Sequence, residues 1–158
     1  MANAEVSREN TQLFFVTAVA GILDLRSGEL TYCNAGQENP WLLRPGVAGA
    51  TVLDEGGGPP LCAIDDFAYR DARFQMRAGD LLCLVTDGVT EAQNAAANLY
   101  GNARLHLLLA RLPAETITPQ EVIDAIRADL AAFVGKAEQS DDLTLLVLRW
   151  NGPRAKAN

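Results

Sequence analysis

The chain has 158 residues, a length that suits one domain with room for a sizeable core. Hydrophobic residues make up 49% and charged residues 21%, an ordinary globular composition that excludes disordered and fibrous classes. With 13 Lys and Arg against 20 Asp and Glu the formal net charge is −7, so no broad basic face is expected and nucleic acid is excluded as a partner.

Cys33, Cys62 and Cys83 are odd in number, widely spaced and without a CxxC pair. They predict buried thiols in a reducing compartment, with no disulfide framework and no zinc site. Segment 1–12 is polar and lacks the apolar stretch of a signal peptide, and the longest apolar runs, around 14–23 and 81–85, are too short for a membrane-spanning helix. A soluble, cytoplasmic chain with no membrane partner is expected.

Residues 13–25 are nearly continuously apolar and rich in Phe, Val and Ile, which predicts a strand buried on both faces. Arg26-Ser27-Gly28 reads as a turn, residues 29–33 complete a hairpin, and Asn34-Ala35-Gly36 breaks it. A short strand is expected at 41–44. The Gly- and Pro-rich stretch 45–60 predicts loops around one short strand at 51–53. Phe67, Tyr69, Phe74 and Met76 alternate with charged residues, the pattern of a strand with one wet face, closed by Ala78-Gly79-Asp80. Residues 81–85 form a fully apolar strand that places Asp87 where it opens into a loop.

Two helices follow. The first is expected over 104–112; the second starts with Thr118 as cap, Pro119 at the first helical position and Glu121 completing a capping box. Its apolar residues Val122, Ile123, Ile126, Leu130, Phe133 and Val134 fall at helical spacing and predict one face packed on a sheet, with Gly135 as the stop. Residues 143–150 form a last strand. The order predicts an α+β layered domain over 13–150, between a polar segment at 1–12 and a polar tail at 151–158.

Two acidic positions join carboxylates to the ends of very apolar strands: Asp87, and the pair Asp141-Asp142. In extended backbone neighbouring side chains point to opposite faces, so only one of Asp141 and Asp142 aims into a given site. Gly88 removes a side chain where the backbone turns or approaches a ligand. Carboxylates without His or Cys suit hard cations such as Mg²⁺ or Mn²⁺. From spacing alone, Asp-Gly after a strand is more often an ordinary turn, and adjacent aspartates often simply face water. No GxSxG and no glycine-rich phosphate loop is present, and the single His106 falls inside a helix, so a Ser-His-Asp or Cys-His enzyme is not expected.

Thr86-Asp87-Gly88-Val89-Thr90-Glu91-Ala92 and Ser140-Asp141-Asp142-Leu143-Thr144 resemble the last two motifs of SpoIIE-type phosphatases, within the PPM superfamily of metal-dependent protein serine/threonine phosphatases. Further matches run in the same order: Phe15-Val16-Thr17, Leu23-Asp24-Leu25, Asn34-Ala35-Gly36, Gly58-Pro59-Pro60-Leu61, Ala78-Gly79-Asp80 and Leu99-Tyr100-Gly101. The resemblance covers about residues 10–150 and implies a PPM-phosphatase-like β-sandwich flanked by helices. Two Mn²⁺ or Mg²⁺ ions would lie between its sheets and activate a water that attacks phosphoserine or phosphothreonine.

By motif, Asp87 and Asp141 are implied as metal ligands, with Gly88 letting the backbone close on the site, Asp142 in a supporting place, and Thr144 packing or hydrogen-bonding beneath. The implied substrate is a phosphorylated bacterial regulatory protein such as an anti-anti-sigma factor. Two departures stand out. The family's early GDxxD and DVxGKG segments have no counterpart here, so the N-terminal part of the domain is expected to be missing, and Gln37 stands where the family has His. Two carboxylates do not replace a bridging set that holds ions about 3.5–4 Å apart. A catalytically silent remnant that acts by binding a protein is therefore the alternative reading, and exposed strand edges would favour homo-oligomers.

Overall fold

The computed structural model describes residues 2–8, 10, 14–137 and 141–153. Expectations for Leu13, for Ser140 of the second acidic motif and for 154–158 of the tail lie outside the described residues. The elements run α1 (Ala2–Ser7), β1 (Ala18–Leu23), β2 (Glu29–Ala35), β3 (Trp41–Leu43), β4 (Ala50–Val52), β5 (Ala72–Gln75), β6 (Leu81–Val85), α2 (Asp87–Thr90), α3 (Gly101–Leu109), α4 (Pro119–Val134) and β7 (Leu145–Arg149). This is the expected α+β class, built on two antiparallel sheets. The chain divides into two compact units, residues 1–37, 54–76 and 153–158, and residues 38–53 and 77–152.

The first unit holds the sheet β1-β2-β5. The predicted hairpin forms with Ala18 opposite Ala35 and Leu23 opposite Leu30. Its turn is closed by Asp24, whose Oδ1 accepts the Arg26 N–H at 2.7 Å and the Ser27 N–H at 3.3 Å. One expectation is corrected. The expected strand is not buried on both faces: among the described residues β1 is an edge strand paired only with β2, Ile22 is 77% exposed, and Phe14 and Phe15 lie exposed ahead of it. The alternating strand at 67–76 also shortens to β5, because Phe67 and Tyr69 turn to each other at 5.0 Å and the Tyr69 hydroxyl donates to Pro59 O. Helix α1, absent from the sequence reading, is anchored by buried Asn3, which donates to Ile64 O and accepts from the Cys62 N–H.

The second unit holds the sheet β4-β3-β6-β7, with β6 paired on both sides. That central place explains the unbroken apolar run: Leu81, Leu82, Cys83 and Val85 are all buried. Burial pushes the Cys83 thiol up to about 12, so it is an inert core residue. Helices α3 and α4 supply Leu105, Leu109, Val122, Ile126 and Leu130 to one cluster with Trp41, Leu43, Leu81 and Val85. Each such side chain contributes about 1.5–3 kcal/mol by leaving water.

α4 starts and stops where its sequence dictates. Thr118 caps it, Glu121 returns the bond to the Thr118 N–H at 2.7 Å, and Gly135 ends it at φ 63°. α3 ends at Leu109, short of the expected 112, as the Arg111 and Leu112 N–H groups bond three residues back ahead of Pro113. Two charged clusters tie the unit together. Asp80, fully buried, is gripped by the Arg44 guanidinium at 2.6 Å and by the Arg77 N–H at 2.8 Å. Asp129 on α4 accepts from Arg104 and from the Tyr100 hydroxyl at 2.8 Å, and Arg104 lies over the Phe133 ring.

Candidate functional site

Both acidic motifs lie in the second unit, and β-sheet register brings them together. β6 and β7 run antiparallel and end at the pair Val85 and Leu145, so residues 86–88 leave the sheet where 141–144 enter it. Beyond the last pair, the Thr86 N–H donates to Thr144 O at 3.1 Å and the Thr144 N–H donates to Thr86 Oγ1 at 3.1 Å. The Thr86 hydroxyl itself donates to Asp142 O at 3.3 Å. One threonine thus clamps the second motif from the first.

Gly88 completes the contact. It is buried, and a Cβ placed on it would stand 2.3 Å from Asp142 O, which any side chain would displace. At Gly88 the backbones of the two acidic motifs thus approach more closely than any side chain allows. Asp87 is corrected in one respect: it opens a one-turn helix, α2, where a loop was expected. The turn forms because Val89 is fully buried in the core, and the Glu91 N–H closes it on Asp87 O at 2.7 Å.

The carboxylates of Asp87, Asp141 and Asp142 are exposed. Asp87 Oδ1 accepts the Gly88 N–H at 2.9 Å, and Asp141 Oδ1 accepts the Asp142 N–H at 2.7 Å, so backbone holds one oxygen of each. Asp142 is engaged through its carbonyl oxygen. Thr144 is held through its backbone, with its side chain exposed. Hard oxygens without nitrogen or sulfur suit Mg²⁺ or Mn²⁺ in kind. In number they fall short, for no group of three His, Cys, Asp or Glu able to hold an ion occurs among the described residues.

Two further residues shape this end. Thr86 belongs to the first acidic motif, and its place at the end of a paired strand is the sequence signal for its clamp. Glu38 carried no signal, lying 52 residues from its partner: it accepts the buried Thr90 hydroxyl at 2.7 Å and the Asn102 amide at 3.2 Å, joining α2 to α3. Gln37 belongs to the first unit, where the Asn34 side chain closes a turn on its N–H and carbonyl at 2.8 Å each. His106 lies exposed on α3, stacked at 5.4 Å on Trp41, away from any nucleophile role.

The sequence model of the Stage II sporulation protein E (SpoIIE) family matches residues 1–151. The chain belongs to that family. Protein IcfG of Synechocystis is 27% identical over 153 residues, covering 96% of this chain and 23% of IcfG. The SiaA-PP2C domain of Pseudomonas aeruginosa superposes with a TM-score of 0.74 at 22% identity, over 92% of this chain and 56% of that one. The manganese-presoaked phosphatase domain of SpoIIE from Bacillus subtilis gives 0.67 at 21% identity, over 89% and 59%. The fold is that of PP2C phosphatase domains. The chain spans less than two thirds of each of these relatives.

Proposed function

We propose that the chain works as a protein serine/threonine phosphatase on a phosphorylated bacterial regulatory protein of the anti-anti-sigma type, in the cytoplasm. The observation that carries this reading is the junction of the two acidic motifs, where Thr86 and Gly88 press the Asp87 turn onto the Asp142 backbone. Asp87 and Asp141 would hold Mn²⁺ or Mg²⁺ as two donors of a larger set. The chemistry such ions supply when bound is activation of a water for attack on phosphorus.

The chain's own residues then orient and shield. The backbone N–H groups of Gly88 and Asp142 fix one oxygen each of Asp87 and Asp141, so both carboxylates are pre-aimed. Glu38 holds the far end of α2 through Thr90, which limits rotation of the turn that carries Asp87. Asp142 supports through its carbonyl and Thr144 through its backbone. The manganese named for the B. subtilis SpoIIE domain supports the metal assignment. Family membership favours this reading over a silent binding remnant. The bare edge of β1 supports self-association as a further property.

The test is phosphate release from a phosphoserine peptide by the purified chain with Mn²⁺. Because Asp87 and Asp141 are two donors of a larger set, slow release that stops in chelator and in Asp87→Asn is expected. Release that survives both, or no release at any Mn²⁺ concentration, contradicts the reading.

A further inference from the structure

A cleft of about 520 Å³ opens between α4 and the segment that starts at Gly88. Its volume falls in the range of ligand-binding clefts. The apolar lining comes from Leu130, Ala131 and Val134 of α4 together with Ala92 and Leu143. Small side chains at 92, 128 and 131 leave the space. The cleft shares Gly88 and Leu143 with the two acidic motifs, and each directly follows one of the aspartates, Asp87 and Asp142. An extended chain advances about 3.3–3.6 Å per residue, so a peptide with its phosphoserine at Asp87 would lay its neighbouring residues into this cleft.

Charge narrows the occupant. The lining holds one cation, Arg127, which is exposed and has no hydrogen-bond or ion-pair partner among the described residues. Asp124, on the same helix face, is engaged by the Gln120 amide at 3.0 Å and repels a second acid. Asp87 and Asp142 stand one residue before the lining residues Gly88 and Leu143, which leaves Arg127 as the lining's one attraction for an acidic side chain.

We propose that this cleft recognises the phosphoprotein, taking an aliphatic side chain next to the phosphoserine while a neighbouring acidic side chain pairs with Arg127. This rests on the phosphatase reading above. The test is fluorescence anisotropy of labelled peptides with Mn²⁺ present and the phosphoserine replaced by its non-hydrolysable phosphonate analogue. The probes are the phosphonate peptide flanked by Leu and Glu, the same peptide flanked by Gly and Lys, and the Leu and Glu peptide with serine.

The Leu and Glu phosphonate peptide is expected to bind about tenfold tighter than the Gly and Lys one, the size of one buried side chain or one charge pair. Ala131→Trp, which fills the cleft from an exposed helix position, and Arg127→Glu should each abolish the preference without moving the melting temperature. Equal binding of the two phosphonate peptides, no binding, or a preference that persists in both variants overturns the proposal. A preference that is cleft-dependent but indifferent to the phosphonate, with no phosphate released from the phosphoserine peptide in Mn²⁺, keeps the cleft and removes the phosphatase reading instead.

Discussion

The backbone of Asp142 lies so close to Gly88 that a Cβ at position 88 would sit 2.3 Å from the Asp142 carbonyl oxygen. Gly88 needs no positive φ, so the demand is for space alone. Gly88→Ala must therefore part the two acidic loops or push out Asp142. A loss of about 1–3 kcal/mol in chemical denaturation is expected, the usual cost of overpacking, together with loss of phosphate release. An alanine variant as stable and active as the parent would mean that the two loops part freely.

Asp80 is a buried anion held by Arg44 and by the Arg77 N–H. Removing one member leaves the other charge unpaired in the core. Arg44→Met should cost about 3–5 kcal/mol, while the double variant Arg44→Met with Asp80→Leu should recover much of it. Urea denaturation of the three proteins measures both steps.

The hydrogen bonds from the Arg104 guanidinium, and then that of the Tyr100 hydroxyl, hold the Asp129 carboxyl below the usual carboxylate range. Its folded value is depressed, so the stabilisation is fully present above the unfolded value of about 4 and is lost as pH falls through the lower, folded one. Unfolding free energy should drop as pH falls below about 4, and Asp129→Asn should flatten that limb. A limb unchanged in Asp129→Asn would place the acid sensitivity in other carboxylates.

Along β1 no charge or proline blunts the free edge, and Ile22 points out at 77% exposure. Such an edge pairs with other chains. Light scattering should show dimers or larger species, and Ile22→Lys should shift them toward monomer. A parent chain that is monomeric throughout would contradict this.

How much was legible in the sequence depends on whether the deciding interaction is local. The α4 boundaries could be read because Thr118, Pro119, Glu121 and Gly135 act within one turn of the ends they set. The burial of β6 was legible from five consecutive apolar residues, and the placing of Asp87 and the 141–142 pair followed from the strands flanking them. β1 failed because composition reports what a strand can bury and says nothing of whether a neighbour covers it. The turn of α2 was hidden because Val89 is drawn in by core contacts distant in sequence, and Glu38 was hidden because its partners Thr90 and Asn102 lie 52 and 64 residues away.

Asp87 and Asp141 should belong to one cation site that excludes the Asp142 side chain. Electron paramagnetic resonance of free Mn²⁺, titrated with the parent chain and with Asp87→Asn, Asp141→Asn and Asp142→Asn, measures that without any turnover. The first two variants should each weaken Mn²⁺ binding about tenfold or more, with Asp142→Asn close to the parent. Mn²⁺ affinity that ignores Asp87 and Asp141, or that falls as far in Asp142→Asn, would contradict it.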